Sequence, residues 1–309
     1  MMRLRIFDAH AHLTRRIALE EVVARWNEAG VARAALMARE TDEARLLELA
    51  RRWPLRARPL IGGRLFQRAL QAGARRDARG GMRRYRGFRE QWWRRRGEAV
   101  FAALERELDS GRFHGVGEVR LKHKGEGPGV PEMKCDYDFD PDHPQILRLL
   151  ATAAARRAAV VVHLEVDRDA ASRLRAFSAA LDAVPRARVV WAHGGPCAPQ
   201  TLEQMLDRHP NLRAEVQTLG PNGYAPRVPM LRTFPPLTEP DGDLLPAWRR
   251  VLERHAGRLM FGSDCRTPAE YAHLRERADA LRRVCVQLSP RAARALAWDA
   301  AERLYGRRD

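Results

Sequence analysis

"RIFDAHAHLT" occupies residues 5–14, and its two histidines, His10 and His12, stand one residue apart just after the apolar pair Ile6 and Phe7. On a strand, side chains at i and i+2 point to the same face, so both imidazoles reach one spot. A lone histidine in a core is ordinarily structural. A His-x-His pair at the end of an apolar strand reads instead as two rings gripping one object, and a metal ion is the natural choice.

Outward from this stretch, short apolar or β-branched runs alternate with amphipathic helical ones. The strand-like runs are "LRIFDAH", "VARAALMA", "ARPLIGGRL", "FHGVGEVRL", "AVVVHLEV", "ARVVWAHGG", "NLRAEVQT" and "RLMFGSD". Helical stretches such as 18–29, "DEARLLELARRW", "EAVFAALERELDSG" and "HPQILRLLATAAARRA" separate them. Eight βα units in a row predict an α/β fold of the (β/α)8 TIM-barrel type. The chain reads as one barrel domain over 1–309, with loops rich in Gly and Pro up to about 140 and at 220–240, no linker and no internal repeat.

In such a barrel, chemistry gathers where the strands end. The first strand ends in His10 and His12, the fourth carries Glu118, the fifth His163, the sixth His193 and the eighth Asp264. Glycine-rich turns, "HGGP" and "GSDC", follow two of them. Six nitrogen and oxygen donors on one rim predict one or two divalent ions, zinc first, with manganese or iron as alternatives.

Composition bounds the remaining choices. No run of eighteen apolar residues exists and the first ten residues hold no apolar leader core, so the expectation is a cytoplasmic protein without membrane contact. Four scattered cysteines without a CxxC pair signal neither a disulfide framework nor a zinc finger. The formal charge of +17 suggests a polyanion partner, yet three lysines among 56 basic residues point to arginine-favouring codons. Residues 74–97 hold ten arginines against Asp77 and Glu90, which makes this insertion the most basic part of the chain. Its arginines, interleaved with Tyr85, Phe88, Trp92 and Trp93, would suit nucleic acid. The reading adopted is an insertion that covers the barrel mouth or a contact in a homodimer, with no specific DNA binding.

The order of motifs from "DAHAHL" through "VVVHLEV" and "VVWAHGGP" to "LMFGSDC" resembles the amidohydrolase superfamily, and within it the amidohydrolase-2 branch. "DAAERLYG" is similar to the closing helix of that branch, with Ala300 where an asparagine is usual. The resemblance implies that His10, His12 and Asp264 hold one metal, and that His163 and His193 hold or face a second. "GVGEVRL" departs from that branch and resembles TatD-type deoxyribonucleases, whose comparable glutamate bridges two metals. Glu118 therefore tilts the expectation towards two ions.

The expected activity is hydrolysis of a small amide, ester or lactone by a metal-activated water, with Asp264 as general base and His193 as a second catalytic group. A non-oxidative decarboxylase of the same branch and a TatD-like nuclease or phosphodiesterase are the alternatives. Arg120 and Arg266 either anchor an anionic group of the substrate or serve as surface ion-pair partners. Glu165 is placed as an orienting partner of His163. Trp191, taken to share the parity of His193, is assigned to the core, and Cys197 and Cys265 to non-ligand roles. On strand parity, Glu118 is expected on the inner face together with Val116 and Arg120.

Overall fold

The computed structural model describes residues 4–38, 43–62, 65–79, 82–123, 135–166, 170–217 and 236–306. The Gly- and Pro-rich stretch 124–134 and most of the loop expected at 220–240 lie outside these. In chain order the strands are β1 (Ile6–Leu13), β2 (Val31–Ala38), β3 (Ala57–Gly62), β4 (Arg75–Arg79), β5 (Met82–Arg86), β6 (Gly115–His123), β7 (Cys135–Asp138), β8 (Ala159–Leu164), β9 (Arg188–Trp191), β10 (Leu212–Val216) and β11 (Leu259–Phe261).

The sheet runs β1-β2-β3-β6-β8-β9-β10-β11, and each neighbouring pair on this path is parallel. A parallel bridge between Ala11 and Cys265 brings the last strand's exit back to β1. The result is a nearly closed barrel with helices between its strands, the TIM-barrel architecture that the alternating pattern predicts. Among the described residues no helix is long and apolar enough to cross a membrane.

Two apolar layers follow from strand alternation. Phe7, Ala35, Met37, Leu60, Val161, Val190 and Met260 fill the barrel's interior. Leu304 and Tyr305 of the last helix, Ala300–Tyr305, join them, and the Tyr305 ring lies 6.2 Å from that of Phe7. That helix closes the end of the barrel where the strands begin, which leaves the opposite end for polar groups. The outer layer joins strands to helices. In the helix Leu19–Ala29, Leu19, Val22, Val23 and Trp26 recur three or four apart and are buried, each contributing roughly 1.5–3 kcal/mol.

The arginine-rich stretch is organised. Residues 75–86 form the antiparallel hairpin β4–β5; β5 then pairs with β7, and β7 with the end of β6 at Lys122 and His123. The helix that follows, Glu90–Asp109, begins eight residues before the expected "EAVFAALERELDSG". Tyr85, Phe88 and Trp93 are buried, with Tyr85 stacked on Tyr137 at 5.5 Å and Phe88 on His143 at 3.5 Å. Arg75, Arg83, Arg86, Arg94, Arg95 and Arg96 are exposed, and Trp92 is half-buried.

Candidate metal centre

The site begins with a distortion of β1. Its pairing with β2 shifts register between Asp8 and Ala11, so the strand's polar residues do not follow a simple alternation. Asp8 occupies the shift, fully buried, and accepts hydrogen bonds from the Ser263 amide at 2.8 Å, the Ser263 hydroxyl at 2.6 Å and the His10 amide at 3.2 Å. Burial pushes its pKa up to about 6 against these bonds. The Asp264 amide donates to the His10 carbonyl at 2.7 Å, and the His12 amide to the Cys265 carbonyl at 2.8 Å. These contacts stitch the "GSDC" turn to β1. Gly262 permits the approach, because a Cβ there would lie 2.9 Å from that of His10. Asp264 itself takes a left-handed φ of 50°, a conformation that costs a non-glycine residue about 1 kcal/mol or more.

Six side chains then converge, from β1, β6, β8 and the turns that follow β9 and β11. The Nε2 atoms of His10 and His12 are 3.0 Å apart. Asp264 Oδ1 stands 3.2 Å from His12 Nε2 and 3.6 Å from His10 Nε2, while its Oδ2 is 3.8 Å from His193 Nε2. Glu118 divides its oxygens: Oε2 lies 3.9 Å from His12 Nε2, and Oε1 lies 2.7 Å from His163 Nδ1 and 3.5 Å from His193 Nε2. Donor triads drawn from these six, such as His10–His193–Asp264 and Glu118–His163–His193, lie within 4.8 Å of one another. Two neutral imidazole lone pairs facing each other at 3.0 Å need a proton or a cation between them. Nitrogen and carboxylate donors around one point are what a divalent transition ion takes, so the residues present fit such an ion.

Local backbone sets two of these side chains in ways that alternation does not. After β9 the chain takes three successive left-handed residues, His193 (φ 57°), Gly194 (φ 63°) and Gly195 (φ 69°). A Cβ on Gly195 would fall 1.9 Å from Trp191 Cζ2, so only glycine closes this turn. Trp191 consequently packs in the outer layer against Phe177 while His193 turns to the mouth; the shared parity expected for them does not hold. On β6 the pairing with β8 shifts between Val116 and Val119, so Val116 joins the outer layer with Val119 and Leu121. Glu118 therefore does not share a face with Val116.

Charges inside the site are strongly coupled. Burial alone would lower the His10 pKa, but the Glu215 carboxylate at 2.6 Å from Nδ1, with Asp264 and Glu118 behind it, lifts it to about 10. Burial, and the neighbouring His10 charge, push His12 down to about 4. Burial opposes ionisation of Glu118 and Asp264, yet His163 for the first and Arg266 and His193 for the second hold both carboxyls well below their usual range. Two ionised carboxylates thus face neutral His12.

The expected auxiliary residues sort differently. Glu165 Oε1 is 3.1 Å from His163 Nε2. Arg266 is engaged by Glu270 through Nη2 at 2.7 Å and Nε at 3.2 Å, and its Nε is 3.7 Å from Asp264 Oδ2. Arg120 makes no ion pair with Glu118; its guanidinium lies 4.9 Å over the Tyr137 ring and its Nε is buried without a partner among the described residues. Cys265 and Cys197 donate to the carbonyls of Glu270 and Gly194, and burial pushes both thiols up to about 12. Four residues escaped the sequence reading: Asp8, His123, Glu215 and Gln217, whose side-chain amide lies 2.9 Å from His193 Nδ1. Glu215 and Gln217 sit two apart in "NLRAEVQT", and that polar alternation in a run expected to be buried was the available signal.

A family model described as amidohydrolase matches residues 7–307. No curated protein matches the sequence. Among solved structures, a probable 2-pyrone-4,6-dicarboxylic acid hydrolase from Acinetobacter baumannii shares 12% identity over 97% of this chain and 99% of its own, with a TM-score of 0.55. A dihydroxybenzoic acid decarboxylase from Polaromonas with bound manganese shares 12% over 99% and 97%, with a TM-score of 0.56. A TatD homologue from Escherichia coli K12 shares 15% over 98% of each chain, with a TM-score of 0.54. At such identities the likeness is one of fold.

Proposed function

The chain belongs to the amidohydrolase family, and from that premise we propose that it is a metal-dependent hydrolase acting on a small amide, ester or lactone. The observation that carries this reading is the convergence of His10 Nε2, His12 Nε2 and Asp264 Oδ1 at 3.0–3.6 Å in a buried rim. These three would hold one divalent ion. His163 and His193 would hold a second, with Glu118 between the two sets because its oxygens face both. A bound cation supplies Lewis acidity there, making water acidic near neutral pH and polarising a carbonyl or phosphoryl oxygen.

The chain's own groups supply the rest. Asp264 is ionised, points Oδ1 at His10 and His12, and keeps Oδ2 on the side of His193 and Arg266. That second oxygen is placed to take the proton of the attacking water and return it to the leaving atom, the work of a general base and acid. Arg120, stacked on Tyr137 and in no ion pair among the described residues, anchors an anionic group of the substrate in preference to Arg266, which Glu270 already occupies. A phosphodiesterase is the second reading, favoured by Glu118 facing both donor sets, since phosphoryl transfer suits paired cations. Turnover of ester, lactone, amide and phosphodiester panels by zinc- and manganese-loaded protein tests the proposal. His10→Ala combined with His12→Ala should abolish both activity and metal binding, and full metal retention in that variant would refute it.

A further inference from the structure

Beyond the six converging residues, the mouth carries a second group of donors. His123, the last residue of β6, is 6% exposed, and its Nδ1 is buried with no hydrogen-bond partner among the described residues. Leaving such a nitrogen unsatisfied costs about 1–3 kcal/mol, so its surroundings should supply something. They supply lone pairs. The His123 ring lies 5.0 Å from that of His163, and Glu165 Oε1 lies 3.1 Å from His163 Nε2. One donor atom from each of His123, His163 and Glu165 falls within 4.8 Å of the others. Bonds of about 2.0–2.2 Å to one ion would draw three such donors together with little movement.

We propose that His123, Glu165 and the Nε2 atom of His163 form a further site for a divalent transition ion, outside the cluster of His10, His12 and Asp264. Two imidazoles and one carboxylate select a borderline ion such as zinc or cobalt over magnesium or calcium, which prefer all-oxygen shells. His163 stands between the two sites. Its Nδ1 is 2.7 Å from Glu118 Oε1 and its Nε2 faces Glu165. A neutral imidazole has one lone pair. With its proton on Nε2, given to Glu165, His163 offers Nδ1 to the inner cluster. With the proton on Nδ1, given to Glu118, it offers Nε2 to the outer site. Filling the outer site therefore withdraws His163 from the inner one, and excess metal acts against the second inner ion. The outer site itself stands independently of the proposed hydrolase; only this competition rests on it.

Crystals of the full chain grown with excess Zn2+ test the assignment by anomalous diffraction at the zinc edge. The expected result is a peak within bonding distance of His123, Glu165 and His163 Nε2, lost in His123→Asn and in His123→Ala while the peak at His10, His12 and Asp264 remains. Two variants are used because the position is buried and Asn keeps a polar group there. No peak at the outer position, or a peak that survives replacement of His123, overturns the proposal. Absence of the inner peak would instead strike at the metal-dependent hydrolase and leave the outer site to be judged on its own density.

Discussion

Glu215 offers the sharpest test of how the fold prepares its inner donors. Its carboxylate and the His10 ring are both fully buried, and Oε2 lies 2.6 Å from His10 Nδ1. An acceptor on Nδ1 holds the ring proton there and turns the Nε2 lone pair towards His12 and Asp264, which is the orientation metal binding needs. Glu215→Gln keeps an acceptor but removes the charge, and Glu215→Ala removes both. Outer partners of metal-binding histidines are typically worth 10–100-fold in affinity, so about tenfold is expected for Gln and about 100-fold for Ala, or roughly 1.4 and 2.7 kcal/mol. Zinc affinity measured by competition with a chelator, alongside near-ultraviolet circular dichroism to verify folding, gives the answer. Folded variants that bind zinc as tightly as the parent would refute the argument, because His10 would then need no partner to present Nε2.

Three further outcomes follow from the same structure. Glu118→Gln should reduce zinc retained after gel filtration from about two equivalents towards one, because the carboxylate facing both donor sets becomes neutral; unchanged metal content would leave a single-ion centre. Replacing the exposed Arg94, Arg95 and Arg96 together by Ser should leave turnover intact and remove no specific DNA binding, since the nearby rings of Tyr85, Phe88 and Trp93 are buried; fluorescence anisotropy showing tight, salt-sensitive binding lost in the variant would revive the nuclease reading. His209 and His255, both buried, have their pKa values lowered by that burial, so the folded state disfavours their charged forms. Their contribution to stability is full above the unfolded value of about 6.5 and is lost as pH falls below it. The melting temperature should drop between pH 7 and pH 5, and a His209→Gln, His255→Gln variant should show a shallower slope.

The strand ends were legible in the sequence because each candidate donor closes a short apolar run, and a barrel places all such ends on one rim. His10, His12, Glu118, His163, His193 and Asp264 were reached this way without any knowledge of distances. Local geometry was less accessible. A period of two assumes an unbroken strand, and the register shift after Val116 and the left-handed turn after Trp191 break it at the two places where Glu118 and His193 are aimed. In the arginine-rich stretch the start of the helix is hidden for another reason. Trp93, Gly97, Phe101, Leu104 and Leu108 recur at helical spacing and are the buried face of Glu90–Asp109, but the charged residues between them disguise the first turns as a solvated loop. Strands β4 and β5 hold no β-branched residue to announce the hairpin, and its outer partner, β7, lies some fifty residues further on. Long-range pairing of that kind also decides the inner shell: His10 and Glu215 are 205 residues apart and meet only because β1 and β10 lie one strand apart around the barrel. Glu215 and Gln217, two apart in one run, signal a polar face, but which histidine Glu215 orients emerges only once the closing of the sheet brings β10 near β1.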